Sequence, residues 1–89
     1  MRFVWDPAKA DNNERKHGVS FVEASTAFAD PFAVYEPDQR YAERGILIGT
    51  STSQRLLFVV HVEILEADVI RIISARKADR KQRRRYEEE

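Results

Sequence analysis

The chain has 89 residues, 43% of them hydrophobic and 34% charged, which suits one small core and excludes a disordered chain. It has no cysteine, which excludes disulfides and thiolate metal sites and fits a reducing cytoplasm, and no apolar run approaches a membrane span. Its 15 basic and 15 acidic residues cancel, yet residues 71–85 set Arg71, Arg76, Lys77, Arg80, Lys81 and Arg83 to Arg85 against Asp79 alone, a local positive field that the net charge hides.

Phe3-Val4-Trp5 is apolar enough for a first strand, and the opening residues lack the apolar stretch of a signal peptide, so a cytoplasmic protein is expected. Asp6-Pro7 starts a helix, an N-cap acceptor followed by the residue best tolerated at the first helical position. That helix is expected to run to His17 and to close on Gly18 in a left-handed cap. Ser20 and Glu23 read as a reciprocal capping box for a second helix, with Phe21, Ala24, Ala27 and Phe28 on one stripe. Asp30-Pro31 ends it.

The period then changes to that of strands. Ala33 to Tyr35 and Arg44 to Thr50 are strand candidates, Ser51 to Gln54 a polar turn, and Leu56 to Leu65 the longest strand. Glu66-Ala67-Asp68 turns it back into Val69 to Ser74. A last helix starts near Asp79. The order predicts a single α+β domain over residues 1–89: a small, mostly antiparallel sheet with two N-terminal helices on one face and a C-terminal helix. Leu56, Phe58, Val60, Val62 and Ile64 share one face of the long strand, all apolar, and are expected to pack under the helices. Leu57, Val59, His61, Glu63 and Leu65 share the other face, which is mixed and expected to be partly solvated, lining a cleft.

The last helix breaks a local rule. Its basic residues come first and Glu87, Glu88 and Glu89 come last, against the macrodipole at both ends. Its pairs Arg83/Glu87, Arg84/Glu88 and Arg85/Glu89 have the weaker orientation. Such a helix needs packing or a partner, and local conflicts of this kind mark binding surfaces.

Several blocks then match a known pattern: Phe3-x-Trp5-Asp6, Asn13-x-x-Lys16-His17-Gly18-Val19-Ser20-Phe21, Phe28-x-Asp30-Pro31, Glu43-Arg44, Ile48-Gly49-x-Ser51, Arg55-Leu56-Leu57 and Ile70-Arg71-Ile72-Ile73-Ser74-Ala75-Arg76-Lys77-Ala78, with a late Tyr86-Glu87. In these the chain resembles the BrnT family of toxins from type II toxin–antitoxin modules. The resemblance implies a RelE-like fold, ribonuclease activity and a ribbon-helix-helix antitoxin of BrnA type that binds operator DNA, the two proteins forming a heterotetramer. The family pattern carries Thr and Glu near positions 79 and 82. Here Asp79 and Gln82 keep the capping logic and remove any role for an acid at 82.

Metal-free RNA cleavage needs a base for the ribose 2′-hydroxyl, cations for the phosphorane and an acid for the leaving 5′ oxygen. His17 and His61 lack metal-ligand spacing and no two-metal carboxylate set is visible, so neither metal nor cofactor is expected. The catalytic candidates are Lys16, His17, Arg55, Arg76 and Tyr86; Arg44, Arg71, Lys77 and Arg80 are the candidate RNA contacts. Lys16 and His17 sit at a helix C-terminus, which favours cations, and either act on RNA or simply cap the helix. Arg55 and Arg76 bracket two strands and suit phosphate through their planar forks, or are solvated strand ends. Arg71, mid-strand, is expected on the open face with Val69 and Ile73, facing a cleft or pairing with Glu63. Glu43-Arg44 supplies a base and a clamp, or an ordinary ion pair. Tyr86 stacks on a base or anchors the last helix. His61 reads best as a partly buried structural histidine. The rival readings are a nucleic-acid-binding module without chemistry and an interaction subunit that docks an acidic partner on its basic helix.

Overall fold

The computed structural model describes residues 1–88 and runs β1 (Arg2–Val4), α1 (Pro7–His17), α2 (Phe21–Thr26), a 3₁₀ turn at Ala27–Ala29, β2 (Val34–Pro37), β3 (Gly45–Thr50), β4 (Leu56–Ile64), a second 3₁₀ turn at Leu65–Ala67, β5 (Val69–Lys77) and α3 (Arg80–Glu88). The helix ends follow the capping chemistry. Asp6 Oδ1 accepts from the Ala8 amide at 2.9 Å, and Gly18, at φ 71°, donates its amide to Glu14 O at 2.8 Å. Ser20 Oγ accepts from the Glu23 amide at 3.0 Å, but the Glu23 carboxylate turns to Arg55, so only half of the expected box forms.

The five strands lie in the order β1-β5-β4-β3-β2, antiparallel except for β1 beside β5. The α1–α2 segment carries the chain from β1 at one edge to β2 at the other. Phe21 and Ala24 of α2 and Ala27 of the 3₁₀ turn pack on Leu47, Leu57, Val59, Ile72 and Ala75. Gly49 lets β3 approach this layer, because a Cβ there would stand 2.9 Å from Ala27 O. β1 covers only Val69 to Arg71 of β5. Beyond it the buried Asn13 side chain takes over the edge: it donates to Ala75 O at 2.8 Å and accepts from Ala75 N at 3.1 Å, pairing backbone groups that β1 leaves open.

The assignment of strand faces reverses the expectation. Leu57 and Val59 are 0% exposed and His61 1%, so the mixed face is the one under α2. The apolar face of Leu56, Phe58 and Val60 lies opposite, with Ile46, Ile48 and Thr50 beside it in register. There α3 packs against β3, rather than joining α1 and α2, and Ile48 and Leu56 are buried. The sheet is therefore covered in part on both faces, more of it under α1 and α2, and apolar count does not identify the inner side.

A bulge completes the arrangement. Val60 pairs with Ser74 and His61 with Ile72, so Ile73 is an extra residue in β5. Arg71, Ser74 and Arg76 consequently share the α3-side face with Val62, Val60 and Phe58. Without the bulge, Arg71 and Arg76, five apart, would point to opposite faces. Arg71 thus lies on the face of Val62, not on the His61/Glu63 face where a cleft was expected, and it leaves the parity of Ile73, with Glu63 opposite Ile70 on the other side.

Candidate functional site

Where α3 leaves the sheet uncovered, a hollow of about 580 Å³ opens. Ile46, Phe58 and Val60 form its floor, Ser74 and Arg76 of β5 one wall, and Asp38, Arg40, Tyr41 and Arg44 of the β2–β3 loop the other. The loop is built around Asp38. Its Oδ1 accepts from the Arg40 amide at 2.7 Å and the Tyr41 amide at 3.2 Å, and its own amide donates to Arg44 O at 3.1 Å. These amides, and the charges of Arg44 and Arg40, hold the Asp38 carboxyl below its ordinary range.

Each wall presents an arginine on an aromatic ring. The Arg44 guanidinium lies 4.2 Å from the Tyr41 ring centroid, and that of Arg76 lies 4.2 Å from the Phe58 centroid. Arg76 and Phe58 are cross-strand partners, which fixes that stack in the sheet. Arg76 also donates from Nη1 to Gln82 Oε1 at 3.0 Å and to Lys77 O at 3.2 Å. Among the described residues, neither Arg44 nor Arg76 is within ion-pair distance of a carboxylate. The arrangement can seat unpaired bases on flat faces and phosphates on cations.

Lys16 and His17 line a neighbouring hollow of about 250 Å³ with Asn12, Asn13 and Ile73, and Ser74 belongs to both hollows. The last turn of α1 therefore lines a separate hollow that adjoins the arginine hollow at Ser74. Lys77 lines a third hollow, of about 300 Å³, with Arg55 and Arg83. Arg71 and Arg80 are exposed on the outer part of the same face and on α3.

Two candidates are committed elsewhere. Arg55 forms a bidentate pair with Glu23, with Nε 2.9 Å from Oε2 and Nη2 on Oε1, and Nη2 also donates to Gly18 O at 2.9 Å. The Arg55 guanidinium, above all, holds the Glu23 carboxyl below its ordinary range, and a bond from Ser51 Oγ at 2.8 Å adds to it. Tyr86 donates its hydroxyl to Asp30 Oδ2 at 2.6 Å and accepts from Thr50 Oγ1 at 3.2 Å, anchoring α3 to the sheet. Burial pushes the Asp30 carboxyl up, but the Tyr86 hydroxyl and the Thr50 and Phe32 amides outweigh it and hold it low. Tyr86 itself is raised, chiefly by its bond to that carboxylate. Arg55 and Tyr86 are thus ties of the fold.

Glu43 is exposed, and His61 is buried between Phe28 and Tyr35, outside the hollow. Sequence reasoning passed over Tyr41, Phe58 and Gln82. The aromatics flanking the Glu43-Arg44 and Arg76 blocks were the available signal. Among the described residues, no three His, Asp or Glu side chains converge as a metal-holding group, and no helix is long and apolar enough to cross a membrane.

A family model described as "Ribonuclease toxin, BrnT, of type II toxin-antitoxin system" matches residues 5–82. The crystal structure of the Brucella abortus ribonuclease toxin BrnT, at 1.1 Å resolution, superposes with a TM-score of 0.72 at 24% identity, over 90% of this chain and 99% of that one. That likeness shows a shared fold. No curated protein sequence matches.

Proposed function

The chain belongs to the BrnT family of ribonuclease toxins from type II toxin–antitoxin systems, and from that premise we propose that the arginine hollow is its RNA-cleaving site. The observation that carries this reading is the pair of guanidinium groups, Arg44 and Arg76, each on an aromatic ring and, among the described residues, each with no carboxylate within ion-pair distance, facing one hollow. The domain is then a RelE-like, metal-independent endoribonuclease of the cytoplasm. An unpaired stretch of RNA lies across the floor, its bases beside the two arginine–aromatic stacks and its scissile phosphate on Arg76 and Arg44. The ribose 2′ oxygen attacks phosphorus as a base takes its proton, the bond to the 5′ oxygen breaks, and an acid protonates that oxygen. The products are a 2′,3′-cyclic phosphate and a 5′-hydroxyl. His17 and Lys16, in the adjoining hollow, are the groups we assign to proton transfer and to charge on the leaving side. Arg71, Lys77 and Arg80 extend the path along the backbone. Arg55 and Tyr86 take no part.

Membership in a toxin–antitoxin family implies an antitoxin partner. We read that partner as a ribbon-helix-helix protein of BrnA type that assembles with the toxin as a heterotetramer and brings it to operator DNA.

The test is cleavage of a labelled RNA by purified protein, with and without ribosomes. The products should carry a cyclic phosphate, form equally well in EDTA, and vanish when deoxyribose replaces ribose at the cut. Arg76→Ala should slow cleavage about a hundredfold, the usual cost of one transition-state donor, with an unchanged circular dichroism spectrum. Wild-type cleavage by both Arg76→Ala and Arg44→Ala would remove the hollow from the chemistry.

A further inference from the structure

Three arginines of this fold meet an acceptor side chain from another element, and the acceptors differ in charge. Arg55 is gripped by the Glu23 carboxylate. Arg85 Nε lies 2.8 Å from Glu36 Oε2, off the line of its N–H, so that pair is Coulombic rather than hydrogen-bonded. Arg76 alone of the three takes a neutral partner, the amide oxygen of Gln82 at 3.0 Å. Gln82 is only 8% exposed. Its Oε1 also accepts from the Asp79 amide at 2.9 Å, while Asp79 Oδ1 accepts from the Gln82 amide at 2.8 Å. This closed box at the start of α3 fixes the amide, so Oε1 cannot swing away from Arg76. Held by Oε1 on one side and lying over Phe58 on another, the guanidinium is oriented at two points.

We propose that Gln82 is the positioning residue of Arg76, an uncharged acceptor that aims the guanidinium across the hollow and leaves its whole positive charge for a phosphate. The proposal rests on the reading of the hollow as an RNA site. Capping alone does not ask for an amide, since a capping box closes with Glu as well as with Gln. A carboxylate at this position, which the family pattern carries near 82, would form a charge-assisted pair with Arg76, as Glu23 does with Arg55, and share the charge that this chain's amide leaves to the phosphate. The amide keeps the geometry of that grip without the counter-charge.

The experiment follows binding of a fluorescein-labelled, uncleavable 2′-O-methyl oligoribonucleotide by anisotropy over a series of KCl concentrations, beside kcat and KM for the cleavable strand. Gln82→Glu, which keeps size and cap, should lower the slope of log affinity against log salt by about 0.7, one phosphate contact on a single strand, and raise KM. Gln82→Met should keep the slope and lower kcat/KM roughly tenfold to a hundredfold through misplacement. Asp79→Ala should melt earlier with the slope unchanged, which separates capping from charge. In an Arg76→Ala background, neither Gln82 change should alter slope or rate further. A folded Gln82→Glu protein with the wild-type slope overturns the proposal, as do Gln82 effects that persist without Arg76. If Arg76→Ala itself binds and cleaves like wild type, the reading of the hollow falls and takes this role with it. A slope lost in Arg76→Ala but intact in Gln82→Glu sinks the positioning role alone.

Discussion

At Arg55 and at Arg76 the same side chain ends in opposite electrostatic situations. The Arg55 fork is closed on Glu23 and Gly18 O, and it ties the start of β4 to α2 and to the cap of α1. Its charge is neutralised where it stands, so it adds little to the field over the sheet. Arg55→Met should therefore cost stability rather than chemistry. It leaves Glu23, a mostly buried carboxylate, with Ser51 Oγ but without its cation. We expect a loss of about 1–3 kcal/mol in urea unfolding, the range for a charge-assisted bond whose partner is left behind. RNA cleavage at low temperature, per folded molecule, should stay at the wild-type rate. A stable Arg55→Met protein that no longer cuts RNA would show that the Glu23 pair opens during the reaction.

Among the elements, α3 departs furthest from its own sequence. Its charges oppose the macrodipole, and the structure supplies the missing support through the Asp79–Gln82 box at its start and, from outside, through Arg85 near Glu36 and Tyr86 on Asp30 and Thr50. The pair Arg85/Glu89 lies outside the described residues. Tyr86→Phe keeps the ring and removes its hydroxyl from Asp30, which we expect to cost about 1–3 kcal/mol. Amide exchange should quicken in α3 and stay slow in β4 and β5; uniform quickening would mean that α3 is not a separable unit. The helix ends could be read from sequence because caps are local chemistry: Asp6, Gly18, Ser20 and Asp79 each act within four residues. The faces could not. The Ile73 bulge shifts parity within β5, and α3 covers Ile48 and Leu56 from the far side, both consequences of long-range packing. Arg44 and Arg76 were recognisable as phosphate-binding types, but their aromatic seats depend on a loop turn around Asp38 and on a cross-strand register. Gln82 looked like a cap and nothing more, since its second partner comes from β5.

For the molecule as a whole, acid should act in two separate stages. A domain this small is marginally stable, so one or two perturbed groups set its pH response. His61 is 1% exposed, with its ring 4.9 Å from that of Phe28, and burial pushes its pKa down despite Glu63 Oε1 at 3.7 Å. An unfolded histidine titrates near about 6.5. Between that value and its depressed folded pKa, the unfolded chain binds a proton that the folded chain refuses, so stability falls as pH drops through this interval. Glu23 and Asp30 have lowered folded pKa values, so their contributions are complete above the unfolded carboxylate range, about 4, and are lost as pH falls through the folded values. The urea midpoint should therefore be flat above about pH 7, decline gently below about 6.5, and drop again below about 4. His61→Leu, close in volume and without a titrating group, should abolish the first decline and keep the second. If His61→Leu follows the wild-type curve through the first interval, the buried imidazole is not the group being titrated there, and the acid response must be sought among the exposed charges instead.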